Sequence, residues 1–305
     1  MKSFLVKTTF FSIISIAIIN TIMLSLLCVK DEFSQNSPYE RNVGLSYQKL
    51  DSLKNVRKIV IISGSSGSYG TNSKMLSQAF GLPVVNTSTH ADIGIRMQFE
   101  IYKDFIRKGD IMIFTPEYDN GEGKRRLYGG STLLRMLSTH VPSAYKKLSL
   151  KQCFFLYKFV GVRNMECLKH IGSNKSYSEN ILNEYGDIDC EREHQDSLKQ
   201  FNISGKVDED IIQYYKYVKE YCKEKEIELI FLPPTFMHTC YQMNKAQIDS
   251  IDECLRQNGV AYDALPHRYS FPDSLYFDTS YHMTKSGANK RTERIVEDIR
   301  RKLRK

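Results

Sequence analysis

Apolar and polar positions along the chain fall into blocks of changing period. Phe10 to Val29 is a 20-residue run without a charge, preceded by Lys2 and Lys7. Its length fits one membrane crossing, and the positive flank places its amino-terminal end in the cytoplasm. The run is long for the apolar part of a cleaved signal peptide, and no small-x-small cleavage site follows it. Leu27, before Cys28, is too large for a lipoprotein cleavage site. An uncleaved signal anchor through residues 10–29 is therefore expected, with the rest of the chain periplasmic or extracellular. Asp31 to Leu53 is polar, with scattered Ser, Asn and Pro, and reads as a spacer.

Beyond the spacer, short buried-strand runs alternate with helical patterns. Lys58 to Gly70, KIVIISGSSGSYG, is an apolar run that stops in small residues, the mark of a buried parallel strand and a tight turn. A short helix follows from Thr71 to Leu76. Further strands are expected at Leu82–Ser88, Ile111–Phe114, Glu228–Leu232 and, as a fifth, Val260–Asp263. Helices are expected over Asp92–Arg107, Glu209–Lys225, Lys245–Gln257 and Thr284–Lys302, with helical patches at Thr132–Ser138, Cys153–Phe159 and Arg163–Ile171. Ser173 to Asn202 is polar and loop-like. Strands alternating with crossover-length helices predict an α/β fold, a mainly parallel sheet of five strands with helices on both faces. The division expected is a cytoplasmic end and anchor over 1–30, a spacer over 31–57 and a domain over 58–305. An insertion at about 121–207 would shape a substrate mouth or a partner surface.

The composition, 41% apolar and 26% charged, is that of a chain with a full core. Net charge is +8, much of it in Lys124-Arg125-Arg126, Lys146-Lys147 and the run Arg300 to Lys305. These read as solvated faces, and without zinc-finger spacing or arginine-rich repeats nucleic acid is not an expected partner. Six cysteines lie outside the membrane run, none in CxxC spacing, so no metal site is expected and disulfides and free thiols stay open. No cofactor is called for. The triplets Asn86-Thr87-Ser88, Asn174-Lys175-Ser176 and Asn202-Ile203-Ser204 match a glycosylation pattern that is common by chance. His238 and His267, after the later strands, fit solvated loop positions.

In a parallel sheet the carboxyl ends of the strands share one edge, where ligands and chemistry collect. The polar groups expected there are Ser65 and Ser66, Asn86 to Asp92, Glu117 to Asp119, and the loop before the last helix. That loop, Tyr276 to Gly287, carries Asp278 and His282. Acyl transfer by serine needs a base for the hydroxyl proton and a group that orients the base, and these loops supply all three.

The ensemble resembles the SGNH, or GDSL-type, hydrolase superfamily, especially membrane-anchored members linked to acylation of cell-surface polysaccharides. Gly64-Ser65-Ser66 stands at the family's Gly-Asp-Ser block, with Ser66 in the nucleophile slot. Asn86 to Asp92 resembles the second block, with Ala91 where the family has an oxyanion-hole glycine. Asp278 and His282, with Thr284 and Gly287 behind them, resemble the final block. The resemblance implies a three-layer α/β/α fold and catalysis by Ser66, His282 and Asp278 without a metal. Two departures stand out. The third strand ends in Pro116-Glu117-Tyr118-Asp119 with no Asn before Asn120, where the family carries an oxyanion-hole asparagine. Oxyanion stabilisation then falls to the N–H groups of Ser66 and Ala91, to His90 or to Tyr118. Asp278 and His282 are also four apart rather than the family's three. The expected activity is that of an esterase or O-acyltransferase working on an acylated polysaccharide or a small acyl ester. The alternative is an accessory protein that binds a glycan or a membrane acyltransferase.

Overall fold

The structure is a computed structural model that describes residues 2–30, 34–35, 37–118, 123–170 and 181–304. The chain begins with α1 (Lys2–Ser25) and a 3-10 turn (Leu26–Cys28), and together they hold Val6–Cys28, a stretch long and apolar enough to cross a membrane. It continues through α2 (Pro38–Ser52), β1 (Ile59–Ser63), α3 (Ser65–Gly70), α4 (Ser73–Phe80) and β2 (Val84–Asn86). Then come α5 (Ile95–Glu100), β3 (Ile111–Thr115), α6 (Lys124–Tyr128), α7 (Ser131–Thr139), α8 (Leu150–Tyr157) and α9 (Val160–His170). The last part holds α10 (Glu209–Glu224), β4 (Glu228–Phe231), β5 (Phe236–Met237), α11 (His238–Met243), α12 (Lys245–Gln257), β6 (Ser270–Phe271) and α13 (Lys285–Leu303).

The main sheet has four parallel strands in the order β2-β1-β3-β4. Ile59 pairs with Val84 on one side and Ile111 on the other, and Ile111 pairs with Glu228. Every residue of β1 and β3 is buried, which is why these strands are continuous apolar runs rather than alternating ones. From β1 the chain steps out to β2 and returns past β1 to β3, so the order reverses between β1 and β3. A crevice opens outside the carboxyl ends at such a reversal. At the opposite end of the strands, Lys58 and Asp110 form a buried ion pair at 2.7 Å. Removing one partner of such a pair costs about 3–5 kcal/mol.

Three expectations are corrected. Val260–Asp263 is not a fifth strand: Asp263 N–H donates to Phe231 O, while the Asp263 carboxylate, not its backbone, takes Phe231 N–H. A side chain therefore closes the edge of β4 where a ladder would continue. The stretch from Asp92 to Arg107 is not one helix, since Gly94 (φ +79°) separates a 3-10 turn from α5. A Cβ on Gly94 would lie 2.4 Å from Gly129 N, so both the angle and the close approach require glycine there. Nor is the whole of Asp31 to Leu53 a spacer. In α2, Val43 and Leu50 join the core, and Asn42 Nδ2 donates to the carbonyls of Asn86 and Ser88.

The polar stretch after residue 180 also binds into the domain. Asn86 N–H donates to Tyr185 O and Ile188 N–H to Ser68 O. Asp187, buried, accepts from Ser73 N–H, Ser73 Oγ and Asn86 Nδ2. Gln195 and Lys199 N–H groups donate to Phe277 and Asp278 carbonyls, and Ser280 N–H returns a bond to Lys199 O. This strap joins the loops after β1 and β2 to the loop carrying Asp278 and His282. Among the described residues no two cysteines are joined in a disulfide.

Candidate active site

Strand β1 ends at Ser63, Gly64 makes the turn, and Ser65 opens α3 at the crevice between β1 and β3. From the far end of the chain, Phe277 N–H donates to His282 O and Thr279 Oγ1 accepts from His282 N–H. The loop is thereby folded back on itself, which brings Asp278 and His282 together across their four-residue spacing. His282 Nδ1 stands 2.8 Å from Asp278 Oδ1, and His282 Nε2 stands 2.8 Å from Ser65 Oγ. A carboxylate only accepts, so Nδ1 carries the ring proton and Nε2 presents its lone pair to the Ser65 hydroxyl.

The geometry selects Ser65 over Ser66. Ser66 is fully buried, with its Oγ turned inward to Ser63 Oγ at 3.3 Å. Its N–H, expected in the oxyanion hole, donates to Glu117 Oε1 at 2.7 Å. The same carboxylate oxygen lies 3.3 Å from Ser65 Oγ. A Cβ on Gly64 would come within 2.6 Å of it, so glycine at this turn is what admits Glu117. Burial pushes the Glu117 carboxyl up, but the Arg126 guanidinium, the Ser66 N–H and the electrostatics of the nearby His282 and His90 rings outweigh it. The group is held below its ordinary value and is ionised at neutral pH.

Around Ser65 and His282 opens a cleft of about 420 Å³. Ala91, His90 and Tyr118 line it, as the sequence suggested, whereas Ser66 does not. His90 Nδ1 accepts from Asp92 N–H, so in the neutral ring Nε2 is the donor. Tyr118 is held edge-on to Phe236 and forms wall. Lys199, Phe201 and Tyr281 bring the strap and the histidine loop to the same rim. Asn86 is structural, bonded to Gly67 O and Asp187, and Asp92 is bound by Arg125 and Thr132 N–H. His238 and His267 are exposed and lie outside the cleft. Asp119, Asn120 and the triplet Asn174 to Ser176 lie outside the described residues.

Two supporting residues were not singled out in the sequence. Tyr69 stacks on the His282 ring at 4.1 Å and 12°, with the Arg192 guanidinium over the Tyr69 ring at 5.2 Å. Arg291, fully buried, donates to Ser66 O at 2.7 Å and to Thr115 Oγ1 at 3.2 Å, tying α3 to the end of β3. Burial pushes the Arg291 guanidinium down from its ordinary value. A signal for it exists: Arg291 shares the α13 face of Ala288, Thr292 and Ile295, where an arginine is out of place unless it is bonded inside. Tyr69 has no such signal in a Gly/Ser-rich turn. No family model, no curated protein and no solved structure matches the chain.

Proposed function

We propose that this chain is a serine-dependent esterase or O-acyltransferase of the SGNH type, with Ser65 rather than Ser66 as nucleophile. The observation that carries the reading is the hydrogen-bonded series Ser65–His282–Asp278 at the switch point of a parallel sheet. In this reading the four strands are the centre of an α/β/α domain, with Val260–Asp263 lying where a fifth strand would stand. Ser65 Oγ attacks the ester carbonyl carbon while His282 Nε2 takes its proton, and Asp278 holds and compensates the imidazolium. The Ser66 N–H is engaged by Glu117, so Ala91 N–H and His90 Nε2–H are the donors for the oxyanion. Collapse breaks the C–O bond, and the proton on Nε2 passes to the departing alcohol. Water or a sugar hydroxyl then gives its proton to Nε2 as it attacks the acyl-enzyme. Collapse breaks the bond between the acyl carbon and Ser65 Oγ, which takes the proton back from Nε2 and releases the hydrolysis or transfer product.

A cleft with aromatic residues and the Lys199 ammonium at its rim suits an acylated, anionic polysaccharide. With α1 as a signal anchor the domain works outside the cytoplasmic membrane. One observation favours a second reading, an accessory protein that binds a glycan or a membrane acyltransferase. The ionised Glu117 stands beside Ser65, where charge develops in the transition state.

A fluorophosphonate probe and a chromogenic acetyl ester separate the two. The enzyme reading expects labelling and turnover in the full chain and in Ser66→Ala, and neither in Ser65→Ala. Labelling lost only in Ser66→Ala returns the nucleophile to that residue. A folded chain that never labels leaves the accessory role.

A further inference from the structure

We propose that the α8–α9 hairpin lies in the lipid interface beside α1, a second, non-spanning contact of this chain with the membrane. The proposal rests on reading α1 as an anchor. The two helices expose more large apolar side chains than a water-facing surface carries. Leu150, Phe154 and Tyr157, one face of α8 at helical spacing, are 79%, 81% and 53% exposed. Met165 and Leu168 on α9 are also exposed. The inward faces are mixed: Gln152, Arg163 and Asn164 are buried beside Leu156, Val160 and Cys167. Apolar residues this large left exposed on both helices, with polar side chains among the buried ones, fit a solvent that is apolar on the outside.

The depth at which the hairpin meets α1 identifies that solvent. Arg163 donates to the carbonyls of Leu26 and Val29, at the end of the stretch that can cross a membrane. Asn164 Nδ2 donates to Met23 O at 2.9 Å, and the Tyr157 hydroxyl donates to the Asn20 side chain. Met23 and Asn20 stand five and eight residues inside the Cys28 end of that stretch. At about 1.5 Å per residue they lie roughly 7–12 Å below that end. Helices that lie in the interface sink about 5–10 Å. A hairpin bonded to α1 at that level shares its surroundings. Gly161 also faces α1, since a Cβ there would stand in ordinary contact with Met23 Cε at 3.4 Å. Lys158 and Lys169, both exposed, have the reach to return their charges to the headgroups.

The chain has no tryptophan, so single Trp variants of the full chain are clean reporters. They are reconstituted, with no other protein, in phosphatidylcholine–phosphatidylglycerol vesicles with and without brominated acyl chains. Phe11→Trp reports on α1, and Phe154→Trp and Met165→Trp report on the hairpin. Leu303→Trp sits at the end of α13, next to Lys302, whose Nζ donates to Leu229 O near the amino end of β4, the end of the sheet opposite the cleft. Phe154→Trp and Met165→Trp are expected to be quenched about twofold, as a chain-level position demands, and Leu303→Trp to be unaffected. Quenching of Phe11→Trp with neither hairpin reporter quenched beyond Leu303→Trp overturns the proposal and leaves the anchor standing. That is also the result if a membrane protein, not lipid, covers this face. An unquenched Phe11→Trp removes the anchor reading and the hairpin with it.

Discussion

The two sides of Ser65 are built from opposite materials. On one side a hydrogen-bonded series links the hydroxyl to His282 and His282 to Asp278, with both links at 2.8 Å and Tyr69 stacked on the imidazole. On the other side the ionised Glu117 takes the Ser66 N–H and lies 3.3 Å from Ser65 Oγ. The base side is ready for proton transfer as it stands. The oxyanion side presents a negative charge where a preorganised donor lowers the barrier most. Proton transfer and charge stabilisation are therefore separable in this site, and substitutions can address them one at a time.

The largest effect is expected from the base side. Asp278→Asn replaces an acceptor with an amide that can donate to Nδ1 and turn the ring to the wrong tautomer. The rate on an activated acetyl ester should fall about 10⁴-fold. A fall of less than about tenfold would show that His282 works without its carboxylate.

Next comes the oxyanion side. Glu117→Gln removes the charge beside Ser65 and adds a donor, so turnover of the same ester should rise about tenfold, within what one such donor is worth. A fall would mean that the carboxylate supports the site rather than opposing it. The same variant carries a pH signature. Glu117 is held below its ordinary value of 4.5, so its charge stabilises the fold above that pH, and this is lost as pH falls through the depressed value. Urea midpoints of the full chain at neutral and acid pH should therefore differ more for the wild type than for Glu117→Gln.

The smallest effect belongs to the stack. Tyr69→Leu removes an aromatic contact worth about 0.5–1.5 kcal/mol, which corresponds to a loss of roughly threefold to tenfold in kcat if the contact serves ring orientation. Tyr69→Phe keeps the face and should keep the rate. Equal losses in both would assign the effect to the hydroxyl, which meets Tyr39 OH at 2.9 Å.

Much of this was legible in the chain, and the misses share a cause. Apolar runs bounded by glycine or proline located β1, β3 and β4, and α12 begins and ends where its periodicity does. Asp278 and His282 were found because they are neighbours in one loop. The choice between Ser65 and Ser66 was not legible, because a turn of small residues has no period. The proposed choice rests on contacts with distant residues, His282 at Ser65 Oγ and Glu117, from the end of another strand, at the Ser66 N–H. The segment holding α2 was read as a spacer with a short helix at its end, and its docking was missed because its buried face is largely polar, with Glu40, Asn42 and Ser46 bonded inside the domain. Val260–Asp263 has strand composition, but the Asp263 carboxylate replaces the ladder. In each case a bond to a distant residue overrode the local pattern.

Arg163 and α2 have a consequence for how such a protein would meet its substrate. With the former gripping the end of α1 and the latter folded onto the domain, little free tether separates the helix from the cleft. In a bilayer the molecule would drift with its mouth at one fixed height, searching a plane rather than a volume. On an acyl ester carried in the same bilayer, turnover would then follow the number of acyl groups per unit of membrane area, and diluting the vesicles would leave it unchanged.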